Sequence, residues 1–267
     1  MASDAGLRQN HPGAQGGGAT SLLLVRHGES AANVAATAAE AAGAEIVDMP
    51  LRDADVPLTR TGTEQALALR RWLDARPPGE YPDSVWVSPY LRAAETAGIA
   101  LAGRSDGTRA RVDERLRDRE LGVLDLLTGH GVDRLLPDEA ARRRWLGKFY
   151  YRPPGGESWA DVALRVRSLL GDLDAGADAA ADAPAPVMIT AHDAVVMVFI
   201  YVCLGLSEGD LLQFAQTNVV SNASVTRLVR PSGTGPWTLE AFSHDEHIRE
   251  TGVPVTEHAG DKDADIH

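Results

Sequence analysis

One cysteine, 5 % aromatics, no apolar stretch of membrane length and a shortage of basic side chains bound this 267-residue chain before any motif is read. With Cys203 alone, neither an internal disulfide nor a cysteine metal cluster is possible, so the fold must be held by its core. The longest apolar run, Ala194 to Leu206 with Gly205 inside it, is too short to cross a bilayer and reads as buried interior. Residues 1–20 lack the basic-then-apolar order of a secretion signal and read as a Gly/Ala-rich leader. The 26 Lys and Arg against 38 Asp and Glu give a formal charge of -12, which disfavours nonspecific nucleic-acid or anionic-membrane binding but leaves room for a locally basic pocket. A cytoplasmic protein with no nucleic-acid partner and no membrane partner is the simplest expectation.

What the chain does have is 44 % hydrophobic residues, enough to fill one medium domain or a domain with an embedded lobe. Ser21 to Val25 is the first strand. Residues 31–57 show neither a sustained strand pattern nor clear helix caps and read as a partly helical excursion over the site. From Leu58 a helix is expected, with threonines at its start as candidate caps, Thr61 and Glu64 at capping-box spacing, Ala66, Leu69, Trp72 and Leu73 on one face, and Pro77-Pro78-Gly79 as its stop. "SVWVSPY" is a second strand, "LRAAETAGIALAG" has helical spacing, and Arg111-Val112 adds a brief strand. A helix over 138–151 belongs to a lobe near the site, and Trp159, Val162, Val166 and Leu169 step by 3, 4 and 3 along another. Residues 171–186 read as an exposed connection, followed by strands at Val187–Thr190, Ser224–Val229 and Trp237–Phe242. Strands separated by helices predict a mainly parallel, layered α/β fold.

Charged residues recur where these strands end. Arg26 and His27 follow the first, Arg92 follows the Ser88-Pro89 turn after the second, and His192 follows the strand at 187–190. Taken singly, such a histidine is ordinarily a hydrogen-bonded structural or surface residue. Two His and two Arg at repeated sheet exits point instead to convergence, because the carboxyl ends of strands in an open sheet lie side by side.

The segments "VRHGES" with Asn33, "LTRTG", "SPYLRAAETA", "DERLRDRELG", "PPGGES", "TAHDAVV", "SNASVTRL" and "FSHDEHI" resemble the histidine phosphatase superfamily over roughly residues 21–248. The resemblance implies a three-layer α/β/α domain with a mainly parallel central sheet and a small inserted lobe at about 113–157, between the leader and a tail at 249–267. It also implies a phosphohistidine intermediate, with His27 as nucleophile and Arg26, Arg92 and His192 around the phosphoryl oxygens. Guanidinium forks suit a tetrahedral anion, and a protonated His192 would add a further donor. Asn33 resembles an additional phosphate contact, and Gly28 permits close backbone approach or a simple turn.

The family's proton donor is a Glu four residues before the glycine matching Gly122; here that position is Asp118, one methylene shorter, with Glu120 as the rival. Glu114 reads as a supporting residue. "RRRWLGKFYYRPPGGES" forms a basic and aromatic rim, in which Arg143, Arg144 and Lys148 would meet a second anionic group and Glu157 would orient a hydroxyl or the surroundings of His192. The alternative for this rim is a solvated helix face. His244, Glu246 and His247 lack a metal-site pattern, so neither a catalytic metal nor a cofactor is expected.

The expected activity is a metal-independent phosphomonoester hydrolase acting on a small phosphorylated metabolite. Two alternatives stand beside it: a phosphoglycerate mutase dependent on 2,3-bisphosphoglycerate, and a noncatalytic phosphate-binding module. The residue after "REL" leads into "VLDLLTG" instead of a mutase-like GxLxGxNK, which favours the hydrolase, whereas "PPGGES" favours the mutase. The sequence leaves open whether the protein is a homodimer.

Overall fold

The computed structural model describes residues 18–77, 79–103, 110–176 and 186–258. Most of the expected leader, residues 177–185 of the expected connection, and the tail beyond 258 lie outside the described residues. Six strands form one sheet: β1 (Ser21–Arg26), β2 (Ser84–Val87), β3 (Ala110–Val112), β4 (Val187–Ala191), β5 (Val225–Val229) and β6 (Thr238–His244), in the order β3-β2-β4-β1-β5-β6. The β3-β2-β4-β1 half is parallel and β5 and β6 are antiparallel, so the sheet is mixed and mostly parallel.

Every residue of β1 is buried, because both sheet faces are covered. Leu22 and Leu24 pack with Val187 and Ile189 against α6 (Trp159–Gly176) and α7 (Asp193–Leu204). Leu23, Val25 and Met188 face α2 (Arg60–Asp74) and α3 (Leu91–Ala100) through Leu69, Leu73 and Ala100. Each such side chain removed from water contributes roughly 1.5–3 kcal/mol, so a strand apolar on both sides is stable only as the middle layer of three. The 3-4-3 spacing of Trp159, Val162, Val166 and Leu169 does place all four in the core.

The structure sharpens the sequence reading in three places. Residues Ala31–Ala41 form the helix α1, capped by Ser30, whose side chain accepts from the Asn33 amide while Asn33 Oδ1 accepts from the Ser30 amide. The cap was missed because Asn33 stands where Glu or Gln normally closes such a box. Among the threonines that could cap α2, Thr59 does so, its Oγ1 accepting from the Gly62 amide at 3.0 Å, and the Thr61–Glu64 spacing is not used. Two short helices were not anticipated, α4 (Gly129–Leu135) and α8 (Glu208–Thr217), each started by a side-chain cap, Thr128 and Ser207. Helix α5 (Pro137–Tyr150) begins on a proline at its first turn and bends at Gly147, where φ is +75°. A short α9 (Glu246–Arg249) ends the ordered core, after which Val253 and Val255 pack on Ala68, Ala223 and Ile248. Between β3 and α6, Leu124, Val132, Ala140 and Tyr151 make a small apolar cluster of their own.

Candidate active site

Parallel register brings the strand ends together. Arg26 of β1 pairs with Ala191 of β4, and Val87 of β2 pairs with Thr190, so the residues that follow, His27, Ser88 and His192, emerge side by side. The antiparallel β5 contributes from its opposite end: Val25 faces Val225, which sets Asn222 and Ala223 beside the turn after β1. The Ala223 amide donates to the carbonyls of Arg26 and His27, both at 3.1 Å, and Asn222 Nδ2 donates to the His27 carbonyl at 3.1 Å. Gly28 must be glycine, since a Cβ there would sit 2.6 Å from the Gly62 carbonyl oxygen.

His27 is 3 % exposed. Its Nδ1 donates to the Gly28 carbonyl at 2.7 Å, which fixes the tautomer and leaves the lone pair on Nε2. That nitrogen accepts from Arg92 Nε at 3.3 Å. Burial first, then the charges of Arg92, His192 and Arg26, hold the His27 pKa well below the ordinary imidazole value, so the ring is neutral at neutral pH. The His192 ring lies 5.2 Å from it, edge-on. His192 Nε2 shares a hydrogen bond of 2.9 Å with Ser88 Oγ, and its Nδ1 lies 3.2 Å from Asp118 Oδ2 without the alignment of a hydrogen bond. Burial lowers the pKa of His192, and the Asp118 carboxylate partly offsets this.

Asp118 therefore joins the cluster, its Oδ2 accepting from Arg92 Nη2 at 3.0 Å. Burial raises its pKa, but His192 and Arg92 outweigh that effect and hold the carboxyl well below the carboxylate range. Glu120 stands farther out, accepting from the Tyr90 hydroxyl at 2.7 Å. The loop bearing both is fixed by Glu157, which pairs with Arg117 and, at 3.1 Å, with Arg165, and accepts from the Glu120 amide at 3.2 Å. Gly122, at φ +55°, lets this loop touch the 154–156 turn, where a Cβ would come 2.2 Å from the Pro154 carbonyl. Glu157 thus supports the acidic loop through arginines and does not touch His192 among the contacts described.

Arg26 is 2 % exposed and donates to the carbonyls of Val220 and His258, with its Nε buried and unpartnered among the described residues. Asn33 Oδ1 is taken up by Ser30 and by Asn222 Nδ2 at 3.2 Å. A cavity of about 710 Å³ reaches the cluster at Asp118. Arg143 and Lys148 line it, together with Arg119 and His130, whereas Arg144 pairs with Asp133 at the surface. Two residues that sequence reasoning overlooked stand at the centre: Ser88 on His192, and Asp53, whose backbone and carboxylate both meet Arg92. Ser88 directly follows β2 as His27 follows β1, which was a usable signal; Asp53 in "RDAD" had none.

The profile of the histidine phosphatase superfamily (branch 1) matches residues 22–244. The chain belongs to this superfamily. Glucosyl-3-phosphoglycerate phosphatase of Mycobacterium tuberculosis is 33 % identical over 178 residues, 66 % of this chain and 71 % of the relative. The mycobacterial glucosyl-3-phosphoglycerate phosphatase complexed with inorganic phosphate superposes with a TM-score of 0.66 at 27 % identity, covering 86 % of this chain and 99 % of that one. A Caenorhabditis elegans 6-phosphofructo-2-kinase/fructose-2,6-bisphosphatase is 28 % identical over 177 residues, 66 % of this chain and 32 % of the relative. These relatives set the chain on the phosphatase side of the superfamily, and it is a histidine phosphatase, a phosphoric monoester hydrolase. No helix among the described residues is long and apolar enough to cross a membrane.

Proposed function

We propose that this histidine phosphatase hydrolyses a small phosphorylated metabolite without a metal, through a phosphohistidine on His27. The observation that carries this reading is the 2.7 Å bond from His27 Nδ1 to the Gly28 carbonyl, which leaves Nε2 neutral and nucleophilic beside Arg92. In the first half-reaction Nε2 bonds to phosphorus as the ester P–O bond breaks, and Asp118 gives its proton to the departing alcohol. In the second, water attacks phosphorus, its proton passes to the Asp118 carboxylate, and phosphate leaves His27 as a free imidazole. Arg92 and Arg26 supply the fixed positive charge that meets the equatorial oxygens, the work a metal ion performs in other phosphatases.

Asp118 must be protonated when the alcohol departs, although Arg92 and His192 hold it ionised. A bound phosphoryl dianion opposes both fields. Its arrival raises the proton affinity of Asp118 and of His192, so protonation accompanies substrate binding. Asp118 is favoured over Glu120 by its 3.0 Å and 3.2 Å approaches to Arg92 and His192.

For the remainder of the substrate, the cavity volume suits a small molecule. Arg119, His130, Arg143 and Lys148 on its wall favour a second anionic group, and Glu40 and Glu257 offer acceptors for hydroxyls. A sugar linked to a phosphorylated acid has that chemistry, and glucosyl-3-phosphoglycerate, on which the mycobacterial relatives are named as acting, is the first compound to assay.

The test is phosphorus NMR of wild-type protein and of His27→Ala and Asp118→Asn with glucosyl-3-phosphoglycerate and with 3-phosphoglycerate plus trace 2,3-bisphosphoglycerate. Phosphate release that disappears with His27→Ala supports the proposal. For Asp118→Asn, alkyl phosphates should slow by about 10²- to 10⁴-fold and p-nitrophenyl phosphate far less, because nitrophenolate leaves without a proton. Formation of 2-phosphoglycerate with little free phosphate would reject hydrolysis as the reaction.

A further inference from the structure

The guanidinium of Arg92 is already occupied at each of its three nitrogens. Nε donates to His27 at 3.3 Å, and Nη2 donates to Asp118 Oδ2 at 3.0 Å and to Asp53 Oδ2 at 3.3 Å. Nη1 donates to the Asp53 carbonyl at 2.6 Å and lies 2.9 Å from Asp53 Oδ1. Four hydrogen bonds thus leave the fork, two of them to Asp53, whose carboxylate adds the 2.9 Å ion pair and is set against the fork in the two-point manner of a bound anion. A phosphoryl group at His27 Nε2 needs these same donors.

The two carboxylates at the fork are not equally held. Asp118 Oδ1 accepts from the Arg119 amide at 2.8 Å, its loop is braced by Glu157, and its side chain is 22 % exposed. Asp53 sits on a single 3-10 turn, Asp53–Asp55, with no side-chain cap, and its side chain is 39 % exposed. The turn is closed by the hydrogen bond from the Asp55 amide to the Arg52 carbonyl at 2.8 Å, with the exposed pair of Arg52 and Asp55 at 2.9 Å beside it. The loss of solvation, with Asp118 nearby, raises the proton affinity of Asp53 against the pull of Arg92. Adding a phosphoryl dianion to a fork that already bears two carboxylates would crowd like charges around a single guanidinium.

We propose that Asp53 is an internal stand-in for the substrate phosphoryl group, occupying the Arg92 fork and leaving it when a phosphate monoester binds, so that its carboxylate sets how tightly the site takes a phosphate. This rests on the reading of His27 and Arg92 as the phosphoryl site. Asp53 acts through Arg92 and is a positioning residue. The phosphate-bearing substrate and the carboxylate compete for the same donors, so the affinity of the site is the intrinsic affinity reduced by the fraction of molecules in which the fork is released.

Removing the charge tests this directly. Asp53→Asn keeps the shape of the side chain, and Asp53→Ala removes it; thermal melts establish that each is folded. The readouts are the KM for p-nitrophenyl phosphate, the competitive Ki of inorganic phosphate, and 32P labelling of His27. In both variants KM and the phosphate Ki should fall about fivefold or more. Asp53→Glu, which restores a carboxylate, should bring both back toward the wild-type values. Unchanged or weakened phosphate binding in Asp53→Asn and Asp53→Ala overturns the stand-in role, and so does a loss confined to kcat with alkyl phosphates, which would mark Asp53 as a proton donor. Labelling separates this from the wider reading: if phosphate binds more tightly in the variants but wild-type His27 is never phosphorylated, Asp53 keeps its role and the transfer chemistry fails.

Discussion

His247 gives a stability prediction whose size follows from its surroundings. The imidazole is 4 % exposed, donates from Nε2 to the Ala223 carbonyl at 3.1 Å, and packs 5.7 Å from Trp72 and 6.1 Å from His244. Burial, aided by the His244 charge and opposed by the carbonyl and Asp245, lowers its pKa from 6.5 to about 4. A depressed histidine contributes stability that is complete above the unfolded value and is lost as pH falls, because the unfolded chain then binds a proton that the folded one refuses. At about 1.4 kcal/mol for each tenfold change in proton affinity, the whole effect is roughly 3 kcal/mol, and roughly 2 kcal/mol of it appears between pH 8 and pH 5. His247→Gln retains an N–H for the Ala223 carbonyl but cannot titrate. Urea unfolding followed by circular dichroism at pH 8, 7, 6 and 5 should show the wild type losing roughly 2 kcal/mol more than the variant across that range. Buried His27 and His192 add the same sign of slope to both proteins and cancel in the difference. Parallel profiles for the two proteins would refute the reasoning, since they would mean that His247 has the same proton affinity folded and unfolded.

Two further substitutions probe the scaffold around the site. Gly62→Ala would place a Cβ 2.0 Å from the Glu29 carbonyl oxygen, backbone against backbone, and should cost about 1–3 kcal/mol in urea unfolding while lowering activity through the displaced turn after β1. Glu157→Ala leaves Arg165, 9 % exposed, without its carboxylate; it should destabilise the protein by on the order of 3 kcal/mol and lower kcat for alkyl phosphates through the loop that carries Asp118, measured by denaturation and steady-state kinetics.

The amino-acid sequence by itself determined the layered architecture. An apolar run such as Leu22 to Val25 has to be covered on both faces, and the helices that cover it advertise themselves through spacings such as Trp159, Val162, Val166 and Leu169. Positions at strand ends also made His27, Arg92 and His192 legible as one group, since parallel register aligns the ends of neighbouring strands. Helix starts were less legible, because Thr59 and Thr61 are equally good caps in isolation and only packing decides between them. Tertiary structure alone decided the partners of each charge. Asp118 and Glu120 lie two residues apart in one acidic segment, yet backbone direction turns one toward Arg92 and His192 and the other toward the Tyr90 hydroxyl. Asp53 reaches Arg92 from 39 residues away, through a turn with no repeating pattern to betray it. Hydrophobic burial is periodic along the chain and so can be read from it, whereas an ion pair depends on where two distant side chains end, which is set only when the core has closed.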